Sequence, residues 1–570
     1  SMHDTIIRNG TIVDGTGAPA FSADIAIDNG TITRIDTSIG AGREEIDARD
    51  KLVAPGWVDI HSHYDGQVMW DPQLSPSGIN GVSTVVMGHC GVGFAPLRAD
   101  DRELLVKVME GLEDIPGDTL RAGVGWHWET FPEYLDVLEK LPRMLDFGTQ
   151  VPHAALRSYV MGERGSKRIA ATSNDTERMA QIVEEALRAG ALGFSTSRTR
   201  VHNTSDGHHI PGSFAQQNEL MGIAAAMGRV GHGVFQLVSD FDDPEHEFEW
   251  MTHLSREFAV PVHFLLSQFE RPKFTQLLAL TERAKTQGAN VIGLTGTRAI
   301  GMLITLDSDV HPFYQHPSYL EIANLPLAER VRIMRDPHFK QKLLSETTTG
   351  ANAFWQPRMA MFDGMFRLGS PPDYEPKPAQ SIAAIAARAG CSPEAVAYEM
   401  LLDNEGSEVI YFPLFSYSER NLDGTYEMLQ HPNTLASLAD GGAHLGIMND
   451  ASMPTFLLTH WARDRKRGPR IALEKVVMLQ TSCTADAYGL RDRGRLAVGY
   501  KADINVIDFD NLQIEAPYWV HDLPANGRRF MQRVRGYDAT LVSGVITSRN
   551  GEATGALPGK LIRGPQRAAI

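Results

Sequence analysis

Two histidines stand two residues apart in the segment Pro55-Gly-Trp-Val-Asp-Ile-His-Ser-His-Tyr-Asp. The apolar residues before them are typical of a buried strand. Because side chains alternate between the two faces of a strand, His61 and His63 project to the same side, where both imidazoles can bind one metal ion. The spacing therefore predicts a metal site at the end of this strand. The simpler interpretation is a pair of polar residues that closes a strand.

A cysteine and an aspartate follow two other apolar runs. Cys90 lies between glycines in Gly-His-Cys-Gly, and Asp440 begins the segment Asp-Gly-Gly-Ala-His. A thiolate suits zinc, and glycines at a strand end allow the backbone to approach a site closely. The alternatives are a small core cysteine and an ordinary Asp-Gly turn.

Eight apolar runs, separated by longer amphipathic segments, could position these residues. This alternation is typical of a parallel α/β sheet or barrel, and eight strands predict a (β/α)8 barrel with its site at the carboxyl ends of the strands. The first, second and eighth strands are neighbours in a closed barrel, so His61, His63, Cys90 and Asp440 would converge there. The runs are 52–60, 82–87, 149–151, 191–197, 233–238, 260–266, 290–294 and 435–439.

Short strand-like segments separated by turn residues occupy both ends of the chain. Neither end is thick enough to form a core alone, so we predict one small β-sandwich built from residues 1–52 and 491–570. Residues 53–490 then form the barrel as a continuous insertion. The segment from about 298 to 430 is long for one connection and rich in proline and aromatic residues. It predicts helices and loops that form a lid near the barrel mouth.

The composition excludes several classes of protein. The chain has 570 residues, which is too long for a small binding module. Of these residues 42% are hydrophobic, which is enough to form a large core. With 54 Lys and Arg against 70 Asp and Glu, the net charge of -16 repels nucleic acids and anionic membranes. Three scattered cysteines, and no apolar run long enough to span a membrane, predict a cytoplasmic protein without disulfides. A homo-oligomer is an alternative to a monomer.

Five longer motifs point to a family. They are Ile12-Val-Asp-Gly-Thr-Gly-Ala-Pro, Ala54-Pro-Gly-Trp-Val-Asp-Ile-His-Ser-His-Tyr-Asp, Gly81-Val-Ser-Thr-Val-Val-Met-Gly-His-Cys-Gly, Gly190-Ala-Leu-Gly-Phe-Ser-Thr and Gly494-Arg-Leu-Ala-Val-Gly-Tyr-Lys-Ala-Asp. With them the chain resembles the amidohydrolase superfamily and, within it, the N-acyl-D-amino-acid deacylase (D-aminoacylase) family. The resemblance implies that His61, His63 and Asp440 bind one metal ion and that Cys90 is a shared ligand. It also implies Asp440 as the proton shuttle.

Strands five and six depart from the pattern of that family. The resemblance implies histidine ligands there, but the chain has Val238 and Leu266 at the aligned positions. A second metal ion thereby loses two ligands, and the mixed ligands that remain predict one principal zinc ion per chain. His263 comes too early in its strand, with a parity opposite to that of Leu266, so we expect it to pack behind the barrel. Gln268 stands where the family has a lysine that holds the substrate carboxylate.

Further polar residues near the predicted barrel mouth could bind the substrate. Exposed surface charge is the plainer interpretation of the arginines. If the substrate is anionic, an arginine can replace the missing lysine by bidentate binding. The substrate-binding candidates are His89, Arg198, Arg200, His208, Gln268, Arg298 and His444.

Together these residues predict hydrolysis of an amide-type C-N bond in a small molecule. A bound divalent metal lowers the pKa of water and polarises a carbonyl group, while Asp440 takes up a proton and returns it to the leaving amine. The most specific prediction is an N-acyl-D-amino-acid deacylase. The first alternative is a cyclic amide or lactone hydrolase or a decarboxylase, because the metal site of the superfamily serves all of these. The second is a non-catalytic binding protein on the same scaffold.

Overall fold

The computed structural model describes residues 2–348 and 354–569, and parallel strands alternate with helices along much of the chain. One parallel sheet contains the strands Trp57–Asp59, Val82–Val86 and Asp146–Gly148. A second parallel sheet has the order Val151–Pro152, Gly193–Arg198, Val234–Ser239, Val262–Leu265, Val291–Thr295 and Thr434–Ala436. The chain is therefore an α/β protein, as the sequence predicted, and every predicted run overlaps a strand.

Backbone hydrogen bonds link the segments that follow these strands. Leu192 N donates to Thr149 O over 2.8 Å, beside the junction of the two parallel sheets. Asp440 N donates to His61 O over 3.1 Å, so the segment after the last parallel strand is bonded to the segment after the first one. The chain thus brings the ends of its first and last parallel strands together, although nearly 380 residues separate them.

Helices pack beside the parallel strands, and the helix Ser173–Ala189 shows how the sequence forms them. The Thr172 hydroxyl accepts a hydrogen bond from Asp175 N, and the Asp175 side chain accepts one from Thr172 N, which caps the first turn. Apolar residues at helical spacing, such as Val183, are buried, and Gly190 ends the helix. The helices outside the predicted lid are Arg102–Glu113, Gly117–Gly123, Phe131–Glu139, His153–Met161, Ser173–Ala189, Gln217–Val230, Pro244–Phe258, Lys273–Thr286, Met453–Phe456, the π-helical segment Leu457–Asp464, Leu473–Leu479 and Ser482–Ala487.

Strands from both ends of the chain pair in one sheet. Leu52–Pro55, from the amino-terminal part, is antiparallel to Ile504–Ile507, from the carboxyl-terminal part. A separate apolar core, which includes Ile7, Ile25 and Leu541, lies against this sheet. Its nine strands are His3–Ile12, Phe21–Asp28, Thr31–Asp36, Gly42–Asp47, Leu52–Pro55, Ile504–Ile507, Tyr537–Val542, Val545–Arg549 and Glu552–Ala553.

A hairpin of the carboxyl-terminal part, within the predicted sandwich region 491–570, lies outside this sheet. Its strands Tyr518–Leu523 and Gly527–Met531 pair with each other. Phe530 N donates to Leu445 O over 2.9 Å, which ties the hairpin to the loop after Asp440. The other short strand pairs of this part are Gln513–Ile514 with Val534–Arg535 and Leu490–Arg491 with Gln566–Arg567.

The region predicted as a lid contains strands as well as helices and loops. Ile300–Ile304 and Phe366–Arg367 are both antiparallel to Ile410–Phe415. Pro413 favoured a loop in the sequence, because proline is depleted from central strands, yet it lies in the middle strand here. Residues 349–353 of this region lie outside the described residues. Its helices are Pro317–Ile322, Leu327–Met334, Pro337–Ser345, Trp355–Arg358, Ile382–Ala389, Pro393–Gly406 and Asp423–Gln430.

In the part of the chain that the structure describes, no helix combines the length and the apolar composition that crossing a lipid bilayer requires.

Candidate active site

Three buried side chains at the ends of two neighbouring strands form a cluster of metal-ligating groups. His61 and His63 follow the strand Trp57–Asp59, and Cys90 follows the strand Val82–Val86. Their ligand atoms all lie within 4.8 Å of one another, and Sγ of Cys90 lies 3.7 Å from Nε2 of His61. The structure thus brings together three of the four residues that the sequence proposed as metal ligands.

Asp440, the fourth proposed ligand, approaches the same point from the segment after the last parallel strand. Its Oδ1 lies 3.3 Å from Nε2 of His61 and 3.6 Å from Nε2 of His63. The side chain of Asp440 is 20% exposed, whereas those of His61 and His63 are 1% and 2% exposed. The carboxylate is therefore the more accessible part of the cluster for a molecule that enters from solvent.

The spacing of these atoms suits a divalent metal ion. In a tetrahedral zinc site with bonds of about 2.0–2.3 Å, neighbouring ligand atoms are roughly 3.3–3.7 Å apart. The His61–Asp440 and His61–Cys90 distances fall within that range. Oδ1 of Asp440 makes no hydrogen bond, and among the described residues its ion pairs are limited to the two histidines. Two imidazoles, a thiolate and a carboxylate are a donor set that fits zinc.

Burial controls the protonation of the cluster. Desolvation lowers the pKa of His63 to about 3 and that of His61 well below its usual value. It raises the pKa of the Cys90 thiol well above its usual value and that of Asp440 to about 7. The pocket by itself therefore favours the neutral form of each group, and a bound cation would favour the thiolate and the carboxylate instead.

The backbone at two of these residues is left-handed. Cys90 has a φ of 58° and Asp440 a φ of 50°, a conformation that costs free energy in residues other than glycine. The strand Val234–Ser239 helps to hold the cysteine in place, because Cys90 N donates to Oε1 of Gln236 over 2.8 Å. The neighbouring strand contributes in the same way, since Gly91 N donates to the Ser195 hydroxyl over 2.9 Å.

The structure corrects the predicted position of His263. This residue pairs in register with Gln236, so the two side chains share one face of the sheet, and that face meets Cys90. His263 therefore lies on the site's face of the sheet, with its ring 5.8 Å from that of Tyr488, and does not pack behind the strands. Side chains alternate along this strand as expected, but its two faces are the reverse of those that we predicted.

The faces of the other two aligned positions follow from the same register. Val238 is two residues beyond Gln236 and shares its face. Leu266 lies near Gly293, which pairs with Phe264, and so belongs to the opposite face, beneath the helices. Both side chains are apolar and buried, so neither position can contribute a metal ligand.

Three buried carboxyl groups near the cluster were not predicted. Glu113 ends an amphipathic helix, and its Oε1 lies 3.3 Å from Nδ1 of His63. Burial raises the pKa of Asp59 and of Asp65 to about 7, and Oδ1 of Asp59 accepts a hydrogen bond from His61 N. The two aspartates belong to the same motif as the histidines, which was a usable signal. An acidic residue in an amphipathic helix normally faces solvent, so Glu113 gave none.

Two of the seven substrate-binding candidates lie beside the cluster. The His89 ring stacks on that of His61 with 4.2 Å between centroids, and its Nδ1 lies 3.1 Å from Nε2 of Gln150. Because His89 is fully buried, its contacts support the His61 ring. The His444 side chain is 30% exposed, and its Nε2 lies 3.7 Å from Oε2 of Glu113, so it borders the accessible side.

Two arginine candidates make ion pairs away from the cluster. Arg198 lies three residues after Ser195 and therefore on the other face of its strand, where it pairs with Glu247 at 3.3 Å. Arg200 pairs with Asp242, and its side chain is 62% exposed. Neither guanidinium is placed to meet a substrate at the cluster.

The candidates Gln268 and His208 are also engaged elsewhere. Nε2 of Gln268 donates to Ser239 O over 2.8 Å, so its amide closes the end of a neighbouring strand. His208 lines a separate cavity of about 650 Å³ together with Lys107 and Phe214.

Arg298, the last candidate, is fully buried and only partly paired. Its Nη2 donates to the Ser452 hydroxyl over 3.0 Å and lies 3.6 Å from Asp450, and its guanidinium stacks over the Tyr374 ring at 3.9 Å. Nη1 has no hydrogen-bond partner. Burial raises the pKa of Asp450 to about 7, although the charge of Arg298 acts to lower it, and the charge of Asp440 adds to the rise.

The fold and the site describe an α/β protein with a buried, zinc-type donor set at the ends of parallel strands. The profile of the amidohydrolase family matches residues 44–548. The chain therefore belongs to the amidohydrolase family. Over 515 residues it is 25% identical to the D-aminoacylase of Alcaligenes xylosoxydans xylosoxydans, with 89% of this chain and 88% of that protein covered. An uncharacterized protein of Mycobacterium tuberculosis is 26% identical over 609 residues, with coverages of 97% and 93%.

A solved structure shares the fold. N-acyl-D-glutamate deacylase from Bordetella bronchiseptica, complexed with zinc and a phosphonate inhibitor, superposes with a TM-score of 0.64 at 23% identity, covering 99% of this chain and 100% of that one. The family resemblance seen in the sequence motifs is confirmed.

Proposed function

We propose that this protein is a metal-dependent hydrolase that cleaves an amide-type C-N bond. The observation that carries the proposal is the cluster of His61, His63 and Cys90, whose ligand atoms lie within 4.8 Å of one another, with Oδ1 of Asp440 3.3 and 3.6 Å from the two imidazoles. A chain of the amidohydrolase family that retains this costly buried polar cluster is better explained as an enzyme than as a binding protein, because an unused cluster would destabilise the fold.

We also propose that the two parallel sheets form one closed (β/α)8 barrel, with Asp146–Gly148 and Val151–Pro152 as two halves of its third strand. The hydrogen bond from Leu192 N to Thr149 O and the contact between the first and last strand ends support this closure. In such a barrel the proposed ligands lie at the carboxyl ends of the strands, where enzymes of this architecture place their active sites.

The chain's own residues have distinct roles in the proposed reaction. His61, His63, Cys90 and Asp440 would hold zinc, which when bound polarises a carbonyl group and makes water more acidic. Asp440, the more accessible of the four, takes a proton from the attacking water and returns it to the leaving amine. A bound cation would favour the ionised form of Asp440, which is the form that accepts the proton.

The faces of the strands support one zinc ion per chain. Val238 lies on the face of the sheet that meets Cys90, but its side chain is apolar. Leu266 lies on the opposite face. Gln236 is the neighbour of Val238 on the same face, and its Oε1 already accepts a hydrogen bond from Cys90 N. A second ion would therefore have Cys90 but neither of the two imidazoles that the family resemblance implies.

The substrate class we propose is an N-acyl-D-amino acid or a close relative. The D-aminoacylase that this chain resembles supports the acyl group and the D configuration. The unpaired Nη1 of Arg298 supports a negative charge on the substrate, because a buried guanidinium has an unfilled donor there. The three free cysteines support a cytoplasmic location.

The experiment is release of free amine from matched N-acyl-D- and N-acyl-L-amino acids, with a hydantoin ring and a lactone in the same panel. We expect amine from the D series of the zinc-loaded protein, and release slowed by about 10²–10⁴-fold in the Asp440→Asn variant. Ring opening without amine release would favour the cyclic amide or lactone hydrolase. No turnover of any compound by a zinc-loaded protein would contradict the proposal.

A further inference from the structure

Glu113 is a buried acid without a cationic partner of the usual kind. It is 3% exposed, and among the described residues its ion-pair contacts are to His63, at 3.3 Å, and to His444, at 3.7 Å. Its Oε2 makes no hydrogen bond. No arginine or lysine of the described chain neutralises it.

The position of Glu113 in its helix also disfavours the ionised form of its side chain. It is the last residue of Arg102–Glu113, where the partial negative charge of the helix end disfavours a carboxylate. The helix does not need the residue for packing, because its buried apolar face is formed by Leu105, Val108 and Met109 among others. A glutamine of the same shape would avoid the buried charge, so the carboxylate must serve something outside the helix.

The neighbouring His63 ring explains why a carboxylate stands at this position. Its Nε2 faces Asp440 in the cluster, and its Nδ1, which has no hydrogen-bond partner, faces Oε1 of Glu113. A ring that offers Nε2 to a metal carries its proton on Nδ1, and a carboxylate that accepts this proton fixes the tautomer and the ring orientation. The two atoms lie 3.3 Å apart, which is close enough for a hydrogen bond once the ring and the carboxylate are aligned.

We infer that Glu113 is a positioning residue, which accepts a hydrogen bond from Nδ1-H of His63 and so holds Nε2 of that ring toward the metal ion. The inference deepens the proposed function and rests on its metal site. Glu113 touches neither substrate nor metal in this assignment, and it acts through His63.

The test compares Glu113→Gln with the wild-type chain and with Glu103→Gln. Glu103 lies in the same helix and forms an exposed ion pair with Arg121, so it controls for the loss of a helical carboxylate far from the site. Two quantities are measured on purified protein: the zinc dissociation constant, by competition with a chelator, and the melting temperature of the metal-free form. The cobalt-loaded forms are examined for the thiolate-to-metal absorption band of Cys90.

We expect Glu113→Gln to weaken zinc binding about 10–100-fold, the range typical of losing such a partner, and Glu103→Gln to leave it unchanged. The metal-free Glu113→Gln protein should melt no lower than wild type, because glutamine keeps the shape of the side chain and the helix loses no apolar contact. The cobalt band should persist, because the ligands themselves are intact. Glu113→Asp should restore part of the zinc affinity.

Two results would overturn the inference. Zinc affinity within twofold of wild type in Glu113→Gln would show that His63 needs no carboxylate. A metal-free Glu113→Gln protein that melts several degrees lower would show a structural role. These failures leave zinc on the wild-type chain, whereas a wild-type chain that binds no zinc contradicts the proposed function and the inference together.

Discussion

The two sides of the site differ in what they supply. The first and second parallel strands, with the segment after the last one, provide all four proposed ligands: His61, His63, Cys90 and Asp440. The fifth and sixth strands face them with Gln236, Val238 and His263, and of these Gln236 hydrogen-bonds the backbone of the cysteine. One side of the site therefore carries the proposed metal ligands, and the other side supports the Cys90 loop in its left-handed conformation.

This contrast explains why the loss of two ligand positions need not abolish a metal site. Cys90 has a left-handed backbone, which must be held by its surroundings. The acceptor on Gln236 provides part of that support without contributing a ligand. In the proposed site, one side supplies the donors and the opposite strand positions one of them.

The greatest loss of activity is expected from changing the accessible carboxylate on the ligand side. We expect Asp440→Asn to lower kcat by about 10²–10⁴-fold, the range typical of removing a general acid or base. The measurement is steady-state turnover of an N-acyl-D-amino acid, with zinc content determined on the same sample. Wild-type turnover by a folded, zinc-loaded variant would contradict the role of Asp440.

The same substitution should change how stability depends on pH when metal is absent. Burial raises the pKa of Asp440 to about 7 in the folded protein, above its usual value. The folded state therefore binds an extra proton between these two pKa values, and the contribution of Asp440 to stability is lost as pH rises from about 4 through 7. Asparagine does not titrate, so Asp440→Asn does not lose this contribution. The free energy of unfolding of the variant should therefore rise relative to that of wild type by up to about 1.4 kcal/mol for each pH unit across that interval.

Denaturant unfolding of both metal-free proteins between pH 4.5 and 8 checks this difference in free energy of unfolding. A constant difference across that range would show that the carboxylate titrates normally and that the pocket does not desolvate it.

The support that the opposite strand gives to the Cys90 loop can be removed by changing Gln236. We expect Gln236→Leu to leave Cys90 N without its acceptor, at a cost of about 1–3 kcal/mol in the free energy of unfolding, and to weaken zinc binding as well. Gln480→Leu is the matched control, because Gln480 is also a buried glutamine, but its amide bonds Pro454 O. We expect the control to lose stability only. Equal zinc affinity in the two variants would contradict a role of Gln236 in supporting the metal site.

A gain of binding on the supporting side is the most modest change that we expect. Val238 shares the face of Gln236, and Leu266 lies on the opposite face, so the two positions form a natural pair. We expect Val238→His to tighten binding of a second zinc equivalent by about tenfold, or 1.4 kcal/mol, and Leu266→His to have no such effect. Zinc titrations of both folded variants decide this. The same response in both would contradict the assignment of strand faces.

The convergence of the four proposed ligand side chains could be predicted from the sequence for a physical reason. The two-residue spacing of His61 and His63 and the apolar runs before Cys90 and Asp440 are local patterns, and parallel strands carry their ends to one edge. Strand register is not local, which is why His263 was assigned to the wrong face. Glu113 was missed because its helix pattern is that of a solvent-facing acid, and only the packing of that helix turns it toward His63.

The arginines show a further limit of sequence reasoning. Arg198, Arg200 and Arg298 were equivalent candidates in the sequence, since each follows a predicted strand. Their separation depended on tertiary partners: Glu247 and Asp242 hold the first two, while Arg298 keeps an unpaired donor. No local pattern encodes those partners.

The proposed chemistry depends on a single metal ion held by one side of the site. Elemental analysis of zinc tests this on the wild-type protein and on Cys90→Ala, with Cys483→Ala as a cysteine control outside the cluster. We expect about one zinc per chain in the wild type and the control, and loss of that zinc in Cys90→Ala. Two tightly held ions in the wild type, or one ion that survives Cys90→Ala unchanged, would contradict the single-ion site.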